Sequence, residues 1–164
     1  MEVDSLFQIG DNIVYPMHGA GKIVGIEEKE IQGKIHQYYV IKMPSNNMQV
    51  MIPMDKILKS HIRLVSDIPT LKEVLLIFKQ DSSDRSLTWK QRYQVNMDKM
   101  RTGKIQEGAE VIRDLIQINK EKSLNSSEKQ MLENAKKIFI SELGLIKHIS
   151  EIQANDLLDS AING

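Results

Sequence analysis

The chain has no cysteine, which removes disulfides, thiolate zinc sites and a cysteine nucleophile from consideration. That absence fits a reducing cytoplasm. Aromatic residues are sparse, 5% of 164 residues with a single tryptophan. No apolar run approaches the roughly 18 residues of a membrane-crossing helix. The start, Met1-Glu2-Val3-Asp4-Ser5, is acidic and lacks the apolar centre of a signal peptide. Formal net charge is zero, so a general electrostatic coat for DNA is missing as well. What remains, 41% hydrophobic and 27% charged residues, is the composition of a globular protein. The expectation is a cytoplasmic, non-membrane protein of one or two small domains, with nothing demanding more than a monomer.

Catalytic patterns are equally thin. His18, His36, His61 and His148 are scattered without metal-ligand spacing, so no metal site is expected. Gly19-Ala20-Gly21-Lys22 lacks the upstream glycine of a phosphate loop and has Ile23 where a hydroxyl is required, so it reads as a turn. There is no Gly-x-Ser-x-Gly elbow and no His-Glu-x-x-His helix. Glu27, Glu28 and Glu30 alternate faces of a strand and read as solvated. Neither an enzyme nor a bound cofactor is expected.

The hydrophobic period divides the chain. Residues 7–65 read as short strands over 7–15, 22–31, 36–43, 48–53 and 63–65, with turn-rich breaks at 16–21, 32–34 and 44–47. Five short strands with tight turns suggest a small SH3- or Tudor-like barrel. After Pro69 the period becomes helical. Thr70-Leu71-Lys72-Glu73 and Thr88-Trp89-Lys90-Gln91 have capping-box spacing, and Gly103 should end the helix that Trp89 opens. Further helices follow from the stripe Ile105, Ala109, Ile112, Ile116, from the cap at Asn125, and from Ser150-Glu151-Ile152-Gln153. The fold class is therefore α+β: an N-terminal small β-barrel over 1–66, then a C-terminal all-α domain over 67–164.

Trp89 is the most informative residue. Its neighbours Thr88, Lys90, Gln91 and Arg92 belong at a wet surface, and from Arg85 to Lys104 six cations face one anion, Asp98. An indole among cations at a helix start suits a base for stacking and phosphates for the charges. The plain alternative is core packing, because Trp89, Tyr93, Asn96 and Met100 fall along one side of a helix. A second candidate surface is the methionine cluster Met43, Met48, Met51 and Met54 around Val50 and Ile52. One face of that strand must pack the barrel; the other could present an apolar edge to a partner.

Together these residues resemble the CarD/CdnL family of bacterial RNA-polymerase-binding transcription regulators. Ile9-Gly10-Asp11-x-Ile13-Val14-Tyr15-Pro16-x-His18-Gly19-Ala20 is similar to the family's opening strand and turn, shared with the polymerase-interacting domain of transcription-repair coupling factor. Thr88-Trp89-Lys90-Gln91-Arg92-Tyr93, Ala109-Glu110-Val111-Ile112-Arg113-Asp114-Leu115 and Leu124-x-x-x-Glu128-Lys129-x-Met131-Leu132-x-x-Ala135 resemble its helical half. The resemblance implies that the barrel docks on the polymerase β subunit by strand addition, through Lys29, Ile31, Val50, Met51 and Ile52. It implies that the helical half lies on promoter DNA, with Trp89 wedged in the minor groove at the upstream edge of the melted bubble. Lys90, Arg92, Lys129 and Lys136 would hold phosphates. The chain departs from the family pattern at Gln91 and Gln94, where many members are basic, and at Met51, often arginine. Two other readings stay open: an adaptor that binds polymerase or another protein without touching DNA, and a general RNA binder using Tyr38, Tyr39 and the basic helix.

Overall fold

The described residues open with a loop, because Gly10 takes φ +98° and the Asp11 carboxylate accepts from the Gln8 amide at 2.8 Å. That local turn shortens the first expected strand to β1, Asn12–Tyr15. The strands that follow are β2 (Gly19–Ile31), β3 (Lys34–Met43), β4 (Met48–Pro53) and β5 (Arg63–Leu64). The computed structural model describes residues 6–44, 47–82 and 86–164. Met1 to Ser5, the turn positions Ser45 and Asn46, and Ser83, Asp84 and Arg85 lie outside the described residues.

All five strands form one antiparallel sheet in the order β4-β3-β2-β1-β5. Among the described residues β4 pairs only with β3, which leaves its other side as an edge of the sheet. A 3-10 helix, Met54–Ser60, joins β4 to β5 and inserts Met54 and Ile57 into the core made by Ile13, Ile23, Tyr39 and Ile41. The expected turn at Gly19–Lys22 is instead the start of β2, and the turn closes earlier, His18 donating to the Tyr15 carbonyl at 2.9 Å. Gly21 serves close strand packing there: a Cβ would lie 2.6 Å from the Lys42 carbonyl oxygen.

Five helices follow: α1 (Ile68–Ile77), α2 (Trp89–Thr102), α3 (Ile105–Glu121), α4 (Ser126–Lys147) and α5 (Glu151–Asn163). α1 starts earlier than its Thr70 box suggests, because Asp67 caps it by accepting from the Thr70 amide at 2.9 Å. Hydrogen bonds from Thr70 hold that exposed carboxylate below its ordinary pKa. The folded value is depressed, so the cap's contribution is present above the unfolded value and lost as pH falls through the folded one. The boxes at Thr88 with Gln91 and at Ser150 with Gln153 are both formed. His61 and His148 take left-handed conformations that end their helices, and His18 stacks on Tyr15 with centroids 4.4 Å apart.

The helical core, which includes Leu71, Met100, Ile112, Leu115, Phe139, Leu143 and Leu158, shares no residue with the barrel core. The two meet at a junction where apolar side chains such as Val14, Pro16, Ile138 and Phe139 surround a set of directional polar bonds. Arg63 of β5 forks onto Glu142 of α4 at 2.7 and 2.8 Å, and its Nε donates to the Gly103 carbonyl at 2.8 Å. The Ser66 amide donates to Glu142 at 2.8 Å and the Ala20 amide to Ser141 Oγ at 2.9 Å. Gly103, the left-handed end of α2, lies so close to Pro16 that a Cβ would sit 2.5 Å from its Cγ.

Thr88→Ala should cost about 1 kcal/mol through the lost cap, lowering Tm by about 2–4 °C in a chain of this size. Gly103→Ala should cost more, since both its φ of +71° and the Pro16 contact oppose a side chain. Thermal melts of the two variants check the order.

Candidate nucleic-acid and protein interfaces

Trp89 is 44% exposed, which decides against the core reading. The stripe expected along α2 does exist, since Asn96 and Met100 are buried and Tyr93 packs against the helical core. It stops one turn short of the helix start, and the indole overhangs there. The Thr88 box fixes the backbone beneath it, and Lys90 Nζ stands 5.9 Å from the ring centroid.

Arg92, expected to hold a phosphate, has two of its three side-chain nitrogens engaged within the protein. Its guanidinium makes two 2.7 Å bonds to Glu128, a residue 1% exposed on the first turn of α4. Those bonds raise its pKa above the ordinary value, outweighing the opposite pull of burial. Other cations of the basic stretch are also engaged, Lys99 with Glu110 at 2.9 Å and Arg101 with Asp98 at 3.6 Å. Beyond Asp98, which the sequence count already includes, carboxylates from α3 and α4 thus take up Lys99 and Arg92. Among the described residues, Lys90 and Lys104 are the members of that stretch with no ion pair.

The Arg92–Glu128 fork ties the start of α2 to the start of α4, bringing Lys129, an exposed neighbour of Glu128, to the Trp89 end of the bundle. Lys136 is half-buried two turns further along α4, about 10 Å at 1.5 Å per residue. The last turn of α3 and the short link to α4 add two exposed cations, Lys120 and Lys122, to the same end. Sequence reasoning missed both; the tight loop at 123–125 was the available signal.

The candidate docking strand divides by parity. Ile52 pairs with Tyr39 and Val50 with Ile41, and all four face the barrel core, with Ile52 only 5% exposed. Ile52 and Val50 are thus packing residues rather than surface contacts, because alternate side chains of a strand point to opposite faces. Met51 has the other parity and shares the outer face with Val40, Tyr38 and Pro53. Lys29, paired with His36, and Ile31, paired with Lys34, continue that face along the exposed β2–β3 hairpin. Tyr39 is fully buried, its hydroxyl contacting the Phe7 backbone at 3.3 and 3.4 Å, so it is not a stacking platform for RNA.

Among the described residues, no group of three His, Asp or Glu could hold a metal ion, and no helix is long and apolar enough to cross a membrane.

Comparison with known proteins shows the family. Residues 7–66 match the family described as the CarD-like/TRCF RID domain, and residues 73–159 match the CarD C-terminal domain. The chain belongs to the CarD family, whose members are transcription regulators and not a class of enzymes. It is 62% identical over 148 residues to the Bacillus subtilis (strain 168) protein named "Putative transcription factor YdeB", covering 90% of this chain and 97% of that one. It is also similar to the solution structure of the 72-residue N-terminal domain of Myxococcus xanthus CarD, at 28% identity and a TM-score of 0.31, over 35% of this chain and 77% of that one.

Arg92→Ala should destabilise the fold by about 3–5 kcal/mol, since it strands the buried Glu128 carboxylate. Lys90→Ala should stay within about 0.5 kcal/mol, being exposed and unpaired. Urea denaturation distinguishes the two. By the same logic Ile52→Asp should unfold the barrel, whereas Met51→Glu should leave its circular dichroism and melting temperature near the parent's.

Proposed function

We propose that the protein regulates transcription by docking on the β subunit of RNA polymerase and stabilising the promoter open complex, with Trp89 wedged into the minor groove at the upstream edge of the bubble. The single observation that carries this reading is an exposed indole on a rigidly capped helix start, set among cations. A ring held out of its own core has no packing role to explain it, and its flat face suits an unstacked base. Lys90, Lys129 and Lys136 are the proposed phosphate contacts, and Arg92 supports the wedge from beneath. Lys120 and Lys122 extend the same cationic end.

The proposed polymerase-interacting domain is residues 1–66, and the proposed DNA-binding domain is 67–164. The free edge of β4 supports docking by strand addition, with main-chain bonds giving affinity and Met51, Lys29 and Ile31 lining the outer face. Val50 and Ile52 support that edge from inside. The protein would act in the cytoplasm as a monomer, without a cofactor. With few unpaired cations and zero net charge, free duplex DNA should bind weakly and with strong salt dependence.

Trp89→Ala should cost roughly 1–3 kcal/mol of open-complex stability, the range for base–aromatic contacts. This is about a fivefold to hundredfold shorter lifetime, at a factor of about ten per 1.4 kcal/mol. Melting temperature and capture on immobilised polymerase should stay at the parent's values, and Trp89→Phe should keep part of the effect. An unchanged lifetime with intact polymerase capture would instead identify an adaptor that does not touch DNA.

A further inference from the structure

We propose that Arg63 is a positioning residue. By locking the barrel to both ends of the junction it faces, it holds Trp89 at a fixed reach and angle from the docking edge. The proposal rests on the functional reading above and concerns how the two contacts are coupled.

The geometry behind it is a single side chain whose every branch is committed. From edge strand β5, Nη1 and Nη2 fork onto Glu142 at 2.8 and 2.7 Å, Nε donates to the Gly103 carbonyl at 2.8 Å, and Nη1 also reaches the Leu64 carbonyl at 3.1 Å. Gly103 is the C-terminal cap of the helix whose N-terminus is Trp89, and Glu142 belongs to the helix that also holds Arg92. The barrel therefore grips α2 directly at its end and indirectly through α4. Glu142 is 2% exposed and takes a third bond from the Ser66 amide. A planar guanidinium with its donors in a fixed fork permits one relative orientation of the groups it joins.

The rest of the junction explains why this matters. The two hydrophobic clusters share no described residue, and the apolar side chains that do meet at the junction, Val14, Pro16 and Met17 with Met100, Ile138 and Phe139, do not by themselves fix one orientation. Apolar contact is non-directional and would tolerate sliding; hydrogen bonds with defined angles do not. A wedge works only if its ring meets one base step while the barrel is already held elsewhere, and a displacement of about 1 Å can cost on the order of a hundredfold in an oriented process. Arg63 touches neither DNA nor polymerase on this account. It acts through Trp89.

Arg63→Lys in the full-length chain tests this, since lysine keeps the charge and loses the fork. Open-complex lifetime should fall severalfold, approaching and not exceeding the roughly fivefold to hundredfold loss of Trp89→Ala. Capture on immobilised polymerase should stay within about twofold, as for a change away from the docking surface. In a Trp89→Ala background, Arg63→Lys should have no further effect, because two residues acting through one contact are not additive. A physical readout is available because Trp89 is the sole tryptophan and no cysteine is present. Energy transfer from Trp89 to a dye on Asp55→Cys, an exposed barrel position, should show a narrow distance distribution that Arg63→Lys broadens. A parental lifetime in Arg63→Lys, an additive loss in the double variant, or an unchanged distance distribution would each overturn the proposal. If Arg63→Lys does not fold, Ser141→Ala, which removes the hydroxyl that accepts from the Ala20 amide and donates within α4 to the Ile138 carbonyl, takes its place in the same comparisons. An ineffective Trp89→Ala would sink the functional reading itself, whatever Arg63 does.

Discussion

Two buried carboxylates on one helix dictate the layout of the molecule. Glu128 and Glu142 lie fourteen residues apart on α4 and are almost completely buried, about 21 Å at 1.5 Å per residue. An unpaired carboxylate in such a place costs several kcal/mol, so each requires a cation brought in from another element. Arg92 of α2 answers the first and Arg63 of β5 the second. Together they clamp the tryptophan helix at its start through Glu128 and at its end through Gly103. α4 is thus a spine against which both the barrel and α2 are registered.

The exposure of Trp89 follows from that registration. With Arg92 turned toward α4 and Asn96 and Met100 in the interior, the rotation of α2 about its axis is fixed. Residue 89 then falls at the overhanging first turn, ahead of the buried stripe. The Thr88 box closes the backbone at that point, satisfying donors that a frayed start would expose to water. The indole is held by backbone order beneath it rather than by side-chain packing around it. That is a suitable arrangement for a ring meant to meet a partner.

Much of this was legible in the sequence. The change of period after Pro69, the five strands, the boxes at Thr88 and Ser150 and the glycine stop at 103 all depend on local rules, and all reappear in the fold. What failed depends on contacts distant in sequence. Counting cations between Arg85 and Lys104 could not reveal that Glu128, thirty-six residues beyond Arg92, neutralises it. The phase of β4 was misjudged because apolar residues run through both of its faces, Val50 and Ile52 inward and Met51 outward. Only the pairing with Tyr39 and Ile41, which lie in the core, resolves which is which. Arg63 gave no local signal, since a junction residue has no periodicity of its own.

The pairing of cations also bears on how such a protein engages DNA. With Arg63 and Arg92 engaged internally, fewer cations are left for phosphates, and each contact contributes little where salt competes. Weak sites become effective when a second attachment raises the local concentration, provided the connection can present both sites at once. A flexible link meets that condition only part of the time, and its advantage falls with the volume it explores. A junction built from directional bonds confines the second site to one place, so the orienting cost is met during folding rather than at the promoter. On the proposed reading, the arginines withdrawn from the DNA surface contribute to binding by holding the tryptophan where a small number of lysines is enough.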